Sequence, residues 1–128
     1  MLKIRDNQLH AFEALIKGKF LDDTTRYVIK ENYPVLKGVS RPKVRERCDY
    51  SMKKALGYGI RRQADIASFI TFALLYGPNF HKAEAVRDVL ESHPQRWDKR
   101  VDRLISEISE NGWQSIAAPN EWDDIKVD

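Results

Sequence analysis

Few side chains in this sequence combine the residue type and the spacing that chemistry requires. The three histidines, His10, His81 and His93, lack the HExxH spacing that places two imidazoles and a base on one helix face. Solvent contact or helix capping is the expected role of each, and His93 suits the negative end of a helix dipole. The one cysteine, Cys48, excludes a cysteine-rich zinc site. The carboxylate pairs Asp22/Asp23 and Asp123/Asp124 are neighbours in sequence, whereas general acid–base work needs carboxyls facing each other across a pocket. Gly57-Tyr58-Gly59 has the look of a phosphate-loop fragment, yet no strand precedes it and no Lys-Ser/Thr follows it. Ending a helix is its simpler task. No catalytic residue, metal or cofactor is expected.

Charge is the stronger signal. Between Arg41 and Arg62 stand eight basic residues against Glu46 and Asp49, a net of +6, although the whole chain carries only +3. From Ser106 to Asp128 six acidic residues face Lys126 alone, a net of −5. Three readings of the basic segment stay open. It is a solvated face partly neutralised by the acidic C-terminus, a docking surface for an acidic protein, or a set of phosphate contacts to nucleic acid. Arg61 and Arg62 precede a helix, where positive charge opposes the dipole, and that local cost points to a binding role for the pair.

The elements that must hold these charges follow from apolar periodicity and capping. Asp6 or Asn7 caps a first helix whose stripe is Leu9, Phe12, Leu15, Ile16 and Phe20, with Gly18 weakening its end. A second helix starts at Asp22 or Asp23, buries Leu21, Tyr27 and Val28, and stops before Pro34. Ser40 and Pro42 open a third, with Val44, Cys48, Met52 and Ala55 inward and a glycine end at Gly57 and Gly59. On that inner face Cys48 is expected to be a buried, unreactive thiol. Gln63–Tyr76 is apolar on nearly every side and becomes the central helix. A fifth helix runs from about Lys82 to Glu91. A sixth, from about Arg96 to Glu110, buries Trp97, Val101, Leu104, Ile105 and Ile108, with Asn111-Gly112 as its cap and Trp113 folded back on its last turn.

At 128 residues, 42% of them hydrophobic, the chain can bury one core. The expected fold is all-α, a compact single-domain bundle of five to six helices around residues 63–76. The domain covers 1–117, and 118–128 form an acidic C-terminal tail in which Trp122 is the large apolar anchor. The longest apolar stretch, Ile66 to Tyr76, falls well short of the roughly 20 residues a membrane helix needs. No secretory signal is read at the N-terminus, and the single cysteine suits a reducing compartment, so a cytoplasmic location is expected.

Three ordered pieces of the first 80 residues carry a further reading. They are Ile4-Arg5-Asp6-Asn7-Gln8-Leu9-His10-Ala11-Phe12, then Gly57-Tyr58-Gly59-Ile60 with Asp65-Ile66, then Tyr76-Gly77-Pro78-Asn79-Phe80. Together they make the chain resemble a family of small helical proteins encoded beside effectors of bacterial type VI secretion systems. That family has a threonine-type cap after the Tyr-Gly-Ile turn, where this chain has Arg61. The resemblance implies a non-catalytic accessory protein, an adaptor, chaperone or immunity-type partner that binds a secreted effector or a spike component. The expected binding residues are Arg45, Arg47, Lys53, Lys54, Arg61 and Arg62, with Tyr58 as an aromatic anchor. A small nucleic-acid-binding protein using the same charges is the alternative.

Overall fold

The computed structural model describes residues 6–92 and 98–125, with side chains for residues 16–92 and 98–125. Six helices follow one another: α1 (Asp6–Lys30), α2 (Arg41–Gly57), α3 (Gln63–Tyr76), α4 (Glu84–Leu90), α5 (Arg100–Glu107) and α6 (Glu110–Ile116). Short 3-10 turns at Pro34–Leu36, Phe80–Lys82 and Pro119–Asp124 complete the chain. No strand occurs among the described residues, and the fold is all-α as the periodicity requires.

The helix ends with local signals fall where those signals stand. The Ser40 hydroxyl accepts from the Lys43 amide at 3.4 Å and opens α2. At the other end Gly59 adopts φ +80°. The Ile60 amide then reaches the Ala55 carbonyl at 3.2 Å and the Gly59 amide reaches Leu56 at 2.9 Å. This paired closure satisfies the last carbonyls of α2 and drives Ile60, fully buried, into the core. Val44, Cys48, Met52 and Ala55 line the inner face of α2.

Helix α3 is the hub. Ile66, Phe69, Ile70, Ala73 and Leu74 are buried, and α2, α5, α6 and the two later 3-10 turns all pack on it. Trp113 of α6 stacks on Phe72 at 4.8 Å and on Tyr76 at 4.7 Å between ring centroids. Trp122 closes another side, its indole N–H donating to the Ala73 carbonyl at 2.9 Å. Residues 118–125 therefore lie against α3, tied further by Ala118 N–H to the Tyr76 carbonyl at 2.8 Å and by the Asn79 amide to Glu121 at 3.0 Å.

Several expectations are corrected. The N-terminal pair of helices is one helix, α1, of 25 residues. A helical glycine costs only about 1 kcal/mol relative to alanine, too little to break a helix whose later turns bury Leu21, Thr24, Thr25 and Val28. Asp22 and Asp23 cap nothing and instead pair with Arg45 and Arg26. The expected sixth helix stops early, α5 ending at Glu107, and a further helix follows where only a cap was expected. Ile108 turns extended, and the Ser109 hydroxyl accepts from the Gly112 amide at 3.0 Å to start α6, so Asn111 and Gly112 sit inside a helix. The break turns Trp113 onto α3. Ile16, Tyr27 and Ile105, all assigned to the core by periodicity, are exposed. The expected roles of Leu9, Phe12, Leu15, His10, His93 and Trp97 fall outside the described side chains.

Glycines 18 and 77 give substitutions of opposite sign. A Cβ at Gly18 meets nothing within 4 Å, so Gly18→Ala should raise stability by about 0.5–1 kcal/mol. At Gly77, φ +107° is strained for alanine and a Cβ would run into the Ala118 carbonyl oxygen. Gly77→Ala should lower stability by more than about 2 kcal/mol. Urea unfolding of both variants checks the pair, and equal midpoints would contradict the packing of residue 118 on α3.

Candidate binding surface around helix 2

The basic residues of α2 do not share one face, because its buried stripe divides them. Arg45 turns toward α1, where its Nε lies 2.8 Å from Asp22. Lys53 points outward and pairs with Asp49 at 3.1 Å. The Lys54 ammonium sits over the Tyr50 ring, 5.2 Å from its centroid. Arg61 is exposed with no ion pair among the described residues. Arg62 occupies the position before α3, makes no side-chain cap bond, and lies 3.9 Å from Asp65. The dipole cost of Arg62 is thus offset by a carboxylate one turn on.

Arg47 is withdrawn from the surface. Only 6% of it is exposed, and its guanidinium covers the Trp122 ring at 5.5 Å and reaches Asp123 at 3.8 Å. Burial lowers its pKa and Asp123 opposes that shift. A cation over a shielded indole contributes about 1–2 kcal/mol, so Arg47 holds the C-terminal segment in place. As a partner-binding residue it is a correction: charge counting along the sequence cannot tell a buried arginine from a solvated one.

Tyr58 also turns inward. Its hydroxyl is 2.8 Å from His81 Nδ1, and its ring lies against Phe69 and His81. Burial raises the Tyr58 pKa. Burial, reinforced by Lys54 and Lys82, pushes the His81 pKa down to about 4. Both groups are therefore neutral near pH 7. The phenol and Nδ1 share one hydrogen bond, and Nε2 has no hydrogen-bond partner among the described residues. Cys48 is wholly buried, and desolvation raises its thiol pKa to about 11. Such a thiol is a poor nucleophile.

The polar centre that the sequence analysis missed is Arg100. It is 4% exposed and donates from all three guanidinium nitrogens. Nη1 donates to the Tyr58 carbonyl at 2.8 Å and to the Leu90 carbonyl at 2.7 Å. Nε and Nη2 form a fork on the two oxygens of Asp98, at 3.0 and 2.9 Å. Those bonds hold the Asp98 carboxyl below its ordinary pKa. An aspartate two residues before an arginine at a helix start was visible in the sequence, and Asp98 does accept from the Arg100 amide at 3.1 Å. Nothing local said that Arg100 is buried and Asp98 half-buried beside it.

What remains exposed is a discontinuous cationic surface of Arg41, Lys43, Arg45, Lys53, Lys54, Arg61 and Arg62, of which Arg45, Lys53 and Arg62 have carboxylate partners. Such charges attract and orient an acidic partner; alone they perform no reaction. Among the described residues no cluster of three or more His, Cys, Asp or Glu could hold a metal, and no helix is long and apolar enough to cross a membrane. Comparison with protein-family models, curated proteins and solved structures yields no match.

Two stability predictions follow from the buried polar groups. Arg100→Met should cost about 3–5 kcal/mol, because it strands Asp98 and two carbonyls. Arg100→Lys should recover little of this, since an ammonium cannot reproduce the fork on Asp98 and reach both carbonyls. Denaturant midpoints would show it, and near-wild-type stability of the lysine variant would count against the geometry. For His81 the folded pKa lies below the unfolded 6.5. The unfolded chain takes up the proton first, so stability is full above about pH 6.5 and falls as pH drops toward 4. The loss should be about 2 kcal/mol, and His81→Gln should flatten that part of the profile. An unchanged slope in the variant would show that another group carries it.

Proposed function

We propose that this protein is a non-catalytic accessory factor that binds an acidic protein partner through the exposed cations of α2 and the start of α3. The observation carrying this reading is that Lys53, Lys54 and Arg61 stay exposed at one end of the bundle while the neighbouring Arg47 is drawn into the core. Exposed cations beside the half-buried Tyr50 combine charge steering with aromatic contact area, a combination favoured at protein interfaces. The resemblance to accessory proteins of type VI secretion names the class of partner: an effector, or the spike component that carries it. An adaptor, chaperone or immunity role would each use such a surface.

Affinity purification of the tagged protein from its native cell tests this, run beside a Lys53→Glu/Lys54→Glu/Arg61→Glu variant. All three positions are exposed, so the variant should fold, and circular dichroism checks that it does. The expected result is one acidic protein retained by the wild type and at least tenfold depleted with the variant. Nuclease-sensitive retention with a steep salt dependence would move the surface to nucleic acid. Identical partners in both samples would leave these cations as a solvated face and overturn the proposal.

A further inference from the structure

The connection between α1 and α2 leaves a cavity at the far end of α2 from Lys54. Asn32 at φ +58° and Gly38 at φ +80° are the two left-handed turns that fold the chain back around the Pro34–Leu36 turn. The end of α1 and the start of α2 thereby face each other across about 360 Å³ of open space. That volume lies in the range of pockets that take small ligands or single large side chains. Its lining is mixed: Ile29, Tyr33, Leu36, Val39 and Val44 supply apolar surface, and Asn32, Lys37 and Arg41 supply polar groups. Leu36 and Val44 belong to the core, so the floor is rigid, whereas Ile29 is 38% exposed and forms an open apolar lip.

The charged residues in the lining are Lys37 and Arg41, both exposed cations, and no carboxylate is among the lining residues. The positive end of α2 adds to the same field, because Ser40 engages only one of the first-turn amides by side chain. Burial, with Tyr27 and Glu31 contributing, raises the Tyr33 pKa, so its phenol borders the cavity uncharged. A partly apolar hole lined also by two cations suits an apolar group carried between carboxylates. By contrast, the larger cavity of about 420 Å³ between Tyr27 and Ile105 has no charged residue in its lining and specifies no partner.

Building on the proposed partner contact, we infer that the cavity bounded by Ile29, Tyr33 and Val39 anchors one large aliphatic side chain from an acidic segment of that partner, whose flanking carboxylates pair with Lys37 and Arg41. The pocket supplies the buried anchor that scattered surface cations lack. Rim charges set encounter rate and orientation, and the filled hole slows release. Along α2, Arg41 and Lys54 are roughly 20 Å apart at 1.5 Å per residue, a span that an acidic segment of six or so extended residues covers.

The test uses the full chain and a fluorescein-labelled acidic nonapeptide with one central leucine among glutamates, read by anisotropy at moderate salt. Saturable binding is expected. It should weaken at least tenfold when glycine replaces the peptide's leucine, and at least tenfold in both Ile29→Asn and Lys37→Glu/Arg41→Glu. The altered positions are on the surface, and circular dichroism confirms that each variant is folded. No binding, or binding indifferent to the leucine and to Ile29→Asn, overturns the pocket. Capture of a native acidic partner that ignores Ile29→Asn also sinks the pocket while leaving the partner reading intact. Capture of no acidic protein removes the reading on which it rests.

Discussion

A guanidinium taken out of water must find partners for its donors, and Arg100 can find them only if three separate stretches of chain converge. The Tyr58 carbonyl belongs to the end of α2, the Leu90 carbonyl to the end of α4, and Asp98 to the approach to α5. Each of these groups would itself be costly to leave unpaired in the interior. The arginine therefore couples the α2–α3 turn, the end of α4 and the start of α5 into one arrangement. Gly59 lies beside it, where a Cβ would stand 3.9 Å from Nη2. The glycine cap that ends α2 and the charge cluster that receives α5 are thus parts of one corner.

The second constraint is the composition of α3. A helix apolar on nearly every side is stable in water only when neighbours cover all of it. Helix α2 covers one side with its own apolar stripe, and Trp113 and Trp122 cover two others. Trp122 brings a stretch rich in carboxylates against a helix rich in cations. Arg47 and Asp123 meet there, and the cation settles over the indole. Covering the hub thus removes one of the charges that would otherwise face solvent, and it sets which cations remain outside.

Those remaining cations, and the cavity at the start of α2, are the parts of the surface on which the proposed partner contact rests. Both depend on the core without belonging to it. Lys54 is held by its contact with Tyr50, which itself packs edge-on against Trp122 at 5.6 Å. The cavity floor is made by Leu36 and Val44, whose burial against the bundle keeps the opening from collapsing. A surface on rigid helices loses little entropy when a partner orders on it, which is consistent with the proposed binding role.

By itself the sequence determined those features whose physics is local. Ser40 with Pro42, and Gly59 with Ile60, set both ends of α2, because a cap satisfies backbone groups within one turn of itself. The bounds of α3 and its central place followed from continuous apolarity, and the all-α class from the periodicity. Where two local signals competed, packing decided. Gly18 and Asp22 argued for a helix boundary, and the burial of Leu21, Thr25 and Val28 overrode it. Ser109 held a cap signal that apolar spacing through Ile108 masked, so a further helix began where only a glycine end was expected, and Ile105 faced solvent. The fate of each charge was beyond the sequence altogether. Arg47 and Arg100 are buried and Lys53 and Arg61 exposed for the same reason: the cost of an arginine's burial depends on which carbonyls, carboxylates and rings the rest of the chain delivers to it. Only tertiary structure makes that delivery.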